Sequence, residues 1–126
     1  MPSHSYYVQW TNGARTTAKT VTETAAAEVN VEETSAPSST DVQVNIALDV
    51  SAMKSAYLLA TADMTLETNS GSAPDATISL TANVPKAWYT GANGTNPFGA
   101  VDVTKVYVTS TAGGTLTMNC LQDPTP

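Results

Sequence analysis

The residues of this chain that could take part in chemistry are few, and their spacing gives no catalytic or metal-binding motif. The only histidine is His4 and the only cysteine is Cys120. A nucleophilic serine or cysteine needs a histidine held in place as its base, and we expect a residue as close to a terminus as His4 to be frayed. One cysteine and one histidine are also too few for a zinc site. The sequence therefore predicts no catalytic residue, no metal site and no cofactor-binding residue.

Two pairs of carboxylates are the remaining candidates for chemistry. Asp63 and Glu67 fall on one face of a predicted strand, and Asp41 and Asp49 flank another. A glycosidase needs two carboxyl groups that face each other across a cleft, whereas acidic residues along a strand face are ordinarily solvated. We therefore interpret both pairs as exposed surface. The sequence also contains no calcium loop of alternating acidic ligands and no glycine-rich phosphate-binding loop.

Charge and hydropathy exclude further classes of function. The 126-residue chain has a formal net charge of −6, and its five basic residues are scattered along it. Nucleic-acid binding depends on clustered Lys and Arg that neutralise phosphates. No apolar stretch approaches the roughly 20 residues that span a bilayer, and no basic segment followed by an apolar run indicates a signal peptide. We expect no nucleic-acid partner, no membrane association, and synthesis in a cytoplasm.

The elements that must position these residues are predicted to be β-strands. Between residues 41 and 50, apolar side chains occupy every second position, beginning with Val42, Val44 and Ile46. Successive side chains of a strand point to opposite faces, so this run has one buried face and one exposed face. Further short runs of this kind, separated by turns, predict an all-β protein with a single antiparallel β-sandwich of the jelly-roll or immunoglobulin-like type.

The inward positions of these runs predict one shared core. Its members are Val42, Val44, Ile46, Leu58, Met64, Leu66, Ile78, Leu80, Val106, Val108, Leu116 and Met118. Cys120 shares the strand phase of Leu116 and Met118, so we expect its thiol to be buried and unreactive. A change of phase near Thr104 and Lys105 predicts a β-bulge, and Gly113-Gly114 predicts a hairpin turn.

The chain divides into two predicted regions, residues 1–40 and residues 41–126. The first is polar, and its aromatic residues near Tyr6 are followed by Asn12-Gly13, which predicts a hairpin turn. Neither face of its threonine-rich second strand is apolar enough to be buried in a core. We therefore predict an extended N-terminal arm or ribbon, attached to a sandwich domain of residues 41–126, that contacts neighbouring chains by strand addition.

Aromatic side chains are the candidate partner-binding residues, because Trp and Tyr are enriched at interface hot spots. The candidates are Tyr6, Tyr7, Trp10, Trp88, Tyr89 and Phe98. Two alternatives stay open. In the first, Trp10, Trp88 and Phe98 cap the ends of the sandwich core. In the second, Trp88 and Tyr89 stack on sugar rings.

The segment from Lys54 to Asp123 resembles small structural proteins encoded among the virion genes of tailed bacteriophages. The resemblance is a pattern of strands and turns rather than a diagnostic motif, and the first forty residues do not share it. It is carried by Tyr57-Leu58-Leu59, Met64-Thr65-Leu66-Glu67-Thr68-Asn69, Ser72-Ala73-Pro74-Asp75, Trp88, Asn96-Pro97-Phe98, Val106-Tyr107-Val108-Thr109 and Leu121-Gln122-Asp123.

The resemblance implies a non-enzymatic viral structural protein, similar to capsid decoration or cement proteins. Such a protein binds the outer capsid surface, bridges major capsid subunits, and forms a homodimer or homotrimer. The implied partner is the major capsid protein, and the implied location is the virion surface. The alternatives are a β-sandwich associated with the tail or a fibre, and a carbohydrate-binding module that uses Trp88 and Tyr89.

Overall fold

A computed structural model describes residues 2–123, except for the side chain of Asn12. These residues form ten β-strands and a single turn of 3-10 helix, so the all-β prediction is confirmed. The strands are β1 Ser3–Asn12, β2 Arg15–Thr24, β3 Ala27–Ser35, β4 Ser39–Leu48, β5 Met53–Ala60, β6 Met64–Thr68, β7 Thr77–Leu80, β8 Lys86–Tyr89, β9 Val103–Ser110 and β10 Gly114–Gln122; the 3-10 turn is Val50–Ala52.

The strands form a two-stranded ribbon and two four-stranded antiparallel sheets. The ribbon pairs β1 with β2. The first large sheet, sheet I, has the strand order β3-β10-β5-β8, and the second, sheet II, has the order β4-β9-β6-β7. The inner faces of sheets I and II pack against each other, as the alternation of apolar and polar residues requires. The chain is therefore a β-sandwich with an N-terminal ribbon.

One apolar core fills the space between the sheets. Ten of the twelve predicted core residues are buried, and Val42 and Ile46 are half-buried against the same core. Cys120 is buried, as its strand phase predicts. The core also contains buried residues beyond those twelve, among them Leu48, Val50, Met53, Ala56, Ala60, Phe98 and Val103.

The structure corrects the predicted hairpin at Gly113-Gly114. The strands on either side, β9 and β10, lie in different sheets, so this connection crosses from sheet II to sheet I. Gly113 has φ +79°, and a Cβ added there would lie 2.8 Å from the Ser35 carbonyl oxygen. Glycine is therefore required for close packing against another loop rather than for a hairpin. The predicted irregularity near Thr104 is present, because the β4–β9 register shifts between Asn45 and Leu48.

The ribbon is shorter than the arm predicted over residues 1–40. Residues 27–35 form β3, which pairs with β10 at the edge of sheet I and so belongs to the sandwich. The ribbon itself ends at Thr24. Its turn is Gly13-Ala14, one residue later than predicted, with Gly13 at φ +49°, and glycine is the usual first residue of such a two-residue loop. Residues 124–126, assigned to the sandwich domain from the sequence, lie outside the described residues.

Candidate functional site

The ribbon crosses the outer face of sheet I at one end. Its contacts step across the sheet, from His4 beside Glu28 of β3, through Ser55 of β5, to Tyr6 against Tyr89 of β8. Ser55 is paired across the sheet with Leu121, and both are fully buried although they lie on the outer face. The ribbon is therefore docked on the sandwich, and these contacts hold it there.

Ser55 is the centre of this docking contact. Its Oγ lies 2.5 Å from His4 Nδ1 and 2.6 Å from Tyr6 Oη. A serine hydroxyl can donate one hydrogen bond and accept two, so Ser55 can donate to a neutral His4 while it accepts from Tyr6. A small polar residue is needed here, since a larger side chain would push the ribbon away from the sheet. The three residues are named below as the ribbon latch.

Electrostatics at the ribbon latch favour a neutral histidine. Burial lowers the pKa of His4 from its ordinary value, while the Glu28 carboxylate, 3.6 Å from Nε2, acts in the opposite direction with a smaller effect. Burial is the larger influence because Glu28 is itself exposed and its charge is screened by solvent. Burial also raises the pKa of Tyr6, against the opposing hydrogen bond to Ser55. Both side chains therefore dock in their uncharged forms.

A serine, a histidine and a carboxylate in contact are the components of a nucleophilic triad, so their geometry at the ribbon latch is informative. Ser55 Oγ is fully buried beneath the ribbon, and the Tyr6 hydroxyl occupies its other side. A substrate carbonyl therefore cannot reach Ser55 while the ribbon is docked. In this arrangement the chemistry available to His4 and Ser55 is hydrogen bonding that positions the ribbon.

Beyond the ribbon latch, the ribbon leaves the sandwich and its side chains become exposed. We name residues 8–19 the ribbon tip. Val8 is 68% exposed and Trp10 is 54% exposed. The side-chain hydrogen bonds described for the tip stay within the ribbon, as between Thr11 and Thr16. The tip is thus a projecting hairpin with two large apolar side chains in water, which is typical of a surface that binds another molecule.

A groove of about 720 Å³ separates the ribbon from the rest of the outer face of sheet I. Its walls are β1 residues, including Tyr6 and Val8, and its floor is formed by Asn30, Tyr57 and Asn119. These three floor residues are paired neighbours across β3, β10 and β5. Val8 of the tip lines the same groove as these sheet I residues, so a partner bound to the tip can also contact the sheet.

The structure distributes the six predicted partner-binding aromatics among different environments. Tyr7 is 62% exposed and lies on the opposite ribbon face from Trp10, so the two do not form one patch. Tyr6 and Tyr89 are half-buried against each other, with ring centroids 5.4 Å apart. They hold the ribbon and leave little surface for a partner.

Two of the predicted partner-binding residues belong to the core instead. Phe98 is fully buried, which corrects its assignment to a binding surface, and Trp88 is half-buried against the core. Of the three residues expected under the alternative to cap the core, Phe98 and Trp88 pack there, while Trp10 is exposed. Trp10 and Tyr7, on opposite faces of the ribbon, are therefore the two of the six that stay exposed to a partner.

Sequence reasoning missed Ser55 and Glu28, and it expected His4 to be frayed. The structure instead holds His4 half-buried against both residues. Two signals in the sequence point to this contact. His4 shares a strand phase with Tyr6, and Ser55 is a small polar residue in the largely apolar strand from Met53. A polar residue in such a strand indicates a face covered by something that satisfies its hydroxyl.

Three of the four candidate carboxylates accept hydrogen bonds, and one of these is Asp49, which accepts from Ser51 Oγ. Asp41 accepts a hydrogen bond from Thr109 Oγ1, and Asp63 accepts one from the backbone N–H of Ala82. Among residues 2–123, no group of three or more His, Cys, Asp or Glu side chains is arranged to hold a metal ion. The described part of the chain also contains no helix long and apolar enough to cross a membrane.

Burial raises the pKa of Cys120 to about 12.

Comparison of the chain with protein-family models, with curated proteins and with solved structures finds no significant match to any of the three.

Proposed function

We propose that this protein is a non-enzymatic structural protein of a virus particle. Its role would be that of a capsid decoration or cement subunit, which binds the outer surface of the shell and bridges major capsid subunits. The observation that carries this proposal is the projecting ribbon tip, where Val8 and Trp10 are more than half exposed. Apolar side chains that a hairpin holds in water, away from its own core, are a feature of surfaces that bind other proteins.

The division of the molecule into a rigid body and a projecting ribbon supports this role. The sandwich provides an all-β body with a single core, and the ribbon latch fixes the direction in which the tip leaves it. Both strands of the tip have an unpaired edge, and such edges bind partners by adding a strand to the partner's sheet. The resemblance of residues 54–123 to small phage virion proteins supports the same conclusion.

Co-sedimentation with capsid shells tests the proposal. Shells assembled from the major capsid protein of the same genome would be mixed with the purified full chain and pelleted. We expect the wild-type protein to pellet with the shells and Trp10→Ala to bind at least about ten-fold more weakly, as for a hot-spot residue. Val101→Ala is the matched control, because Val101 is 50% exposed but lies on the sandwich. A wild-type protein that stays in the supernatant would refute the decoration role.

The same experiment separates the alternatives. Binding to purified tails or fibres, but not to shells, would place the protein elsewhere in the particle. A carbohydrate-binding role predicts glycan binding that is lost in Trp88→Ala. Packing of Trp88 against the core argues against that role, because a ring that contacts the core presents little face to a sugar.

A further inference from the structure

The two faces of the ribbon are chemically different. Paired residues of an antiparallel ribbon have their side chains on the same face, so the β1–β2 register defines each face. One face, named here the docking face, includes His4 and Tyr6 with their partners Glu23 and Val21, and all four are half-buried on the sandwich. The opposite face has no charged residue; it consists of Ser3, Ser5, Tyr7, Gln9, Thr11, Thr16, Ala18, Thr20, Thr22 and Thr24.

The docking face continues into the ribbon tip, where nothing in the described chain covers it. There it presents the two apolar residues Val8 and Trp10 together with both basic residues of the ribbon, Arg15 and Lys19. Within the part of the chain that the structure describes, neither cation takes part in an ion pair. The tip therefore offers an apolar and basic surface that faces in the same direction as the docked half of the ribbon.

The outer face of sheet I has the complementary chemistry. Past the ribbon latch it presents the half-buried apolar side chains of Tyr57 and Leu59 on β5. The edge strand β3, which is separated from β5 by β10, presents the carboxylates of Glu28 and Glu32 on that same face. According to the register, no Lys or Arg stands on this face in β3, β10 or β5 between these rows.

The distribution of charge indicates that the partner of the ribbon tip is a second copy of this chain. The ribbon tip contains two basic residues and no acidic residue, whereas the whole chain carries −6, so the rest of the chain carries −8. Opposite charges of this size attract one copy's tip to another copy's body at distances up to the Debye length, about 10 Å at 0.1 M salt. In a two-fold arrangement each tip docks on the other copy, which doubles the buried area towards the ~800 Å² per partner of a stable interface.

We infer that the ribbon tip docks on the outer face of sheet I of a second copy of this chain. Val8 and Trp10 pack against Tyr57 and Leu59 of that copy, and Arg15 and Lys19 face its β3 carboxylates. The groove beside the ribbon receives the incoming tip, since its floor contains Tyr57 and it opens beside Glu28. Self-association uses the same Val8 and Trp10 that the proposed shell contact uses, so one tip makes one contact at a time. It is tested without shells, so its failure is distinguishable from failure of the virion role.

Sedimentation velocity of the purified full chain at about 1 to about 100 μM tests the inference. This concentration range covers the micromolar dissociation constants of weak protein interfaces. We expect a concentration-dependent oligomer that dissociates as salt rises from about 0.05 to about 0.5 M. Trp10→Ala should raise the dissociation constant by about ten-fold or more. A protein that is monomeric throughout this range would overturn the inference.

Charge reversal tests which surfaces meet. Lys19→Glu should weaken self-association, whereas Lys105→Glu, the same change at an exposed site on sheet II, should not. Combining Lys19→Glu with Glu32→Lys should restore most of the lost affinity, because it restores opposite charges across the interface. Equal weakening by both lysine variants would indicate a general charge effect and refute the docking. A failure of the combined variant to recover would refute the assignment to the outer face of sheet I.

Discussion

Replacement of Ser55 by alanine should release the ribbon while leaving the sandwich folded. Ser55 Oγ is fully buried and has two hydrogen-bond partners, His4 Nδ1 at 2.5 Å and Tyr6 Oη at 2.6 Å. A hydrogen bond contributes about 0.5–1.5 kcal/mol net. Loss of both bonds should therefore reduce the free energy of ribbon docking by about 1–3 kcal/mol, with the core between the sheets unchanged.

Limited proteolysis with trypsin measures this effect directly. Trypsin cleaves after Arg15 and Lys19, which lie in the ribbon tip. An isolated two-stranded hairpin is at best marginally stable in water, so the ribbon should become cleavable mainly when it undocks. Each loss of about 1.4 kcal/mol in docking should then raise the cleavage rate about ten-fold. Circular dichroism of the same samples should show the strand signal of the sandwich retained.

Ser79→Ala is the matched control, because Ser79 is exposed on β7, a strand of sheet II, whereas the ribbon docks on sheet I. An exposed substitution of this kind should change stability by no more than about 0.5 kcal/mol. Tyr6→Phe removes one of the two hydrogen bonds and should give an intermediate cleavage rate. Equal cleavage of Ser55→Ala, Ser79→Ala and wild type would refute the role assigned to the ribbon latch.

Three further predictions concern pH, the thiol and the core. Burial lowers the pKa of His4 below 6.5 in the folded protein. The stability that ribbon docking contributes should therefore be complete above about pH 6.5 and be lost as the pH falls through the lower pKa of the folded state. The melting temperatures at pH 7.5 and pH 5.5 should differ more for wild type than for His4→Gln, and equal differences would contradict the lowered pKa. Cys120, whose pKa burial raises to about 12, should not react with a thiol reagent until the protein unfolds, and rapid labelling of the native protein would show that the thiol is accessible. Leu58→Ala should cost about 2–5 kcal/mol in urea denaturation, because Leu58 is fully buried in the core, and an unchanged midpoint would contradict its placement.

The fold class could be predicted because it depends on local alternation. The run from Val42 to Leu48 and the run from Leu116 to Cys120 place their apolar residues inward as the pattern requires. The sheet to which each strand belongs could not be predicted in this way, since β3 pairs with β10 across most of the chain. The two glycines before Leu116 illustrate the limit. A Gly-Gly pair fits a hairpin as well as a close packing contact, and only the distant Ser35 loop decides between them.

The candidate site was predictable in part, because its ribbon also depends on local alternation of side chains. The alternation in β1 and the Gly13 region indicate a hairpin with exposed aromatics, and Trp10 is exposed in the structure. The pairing of this ribbon face with Ser55 could not be predicted, because His4 and Ser55 are more than forty residues apart in the sequence. Phe98 was assigned to a partner surface because aromatics are common in cores and in interfaces alike, and composition does not distinguish the two.

The strand order of the sandwich also constrains when the protein can fold during synthesis. β10 lies between β3 and β5 in sheet I, and β9 lies between β4 and β6 in sheet II. These bridging strands are the last two of the ten described, so the earlier strands leave the ribosome without the neighbours they need. Neither sheet can assemble until residues 103–122 are available, and pairing over such separations is slow. The nascent chain must therefore keep the apolar runs of β4, β5 and β6 from pairing with other chains. This aggregation hazard ends only when β10 completes sheet I and β9 completes sheet II.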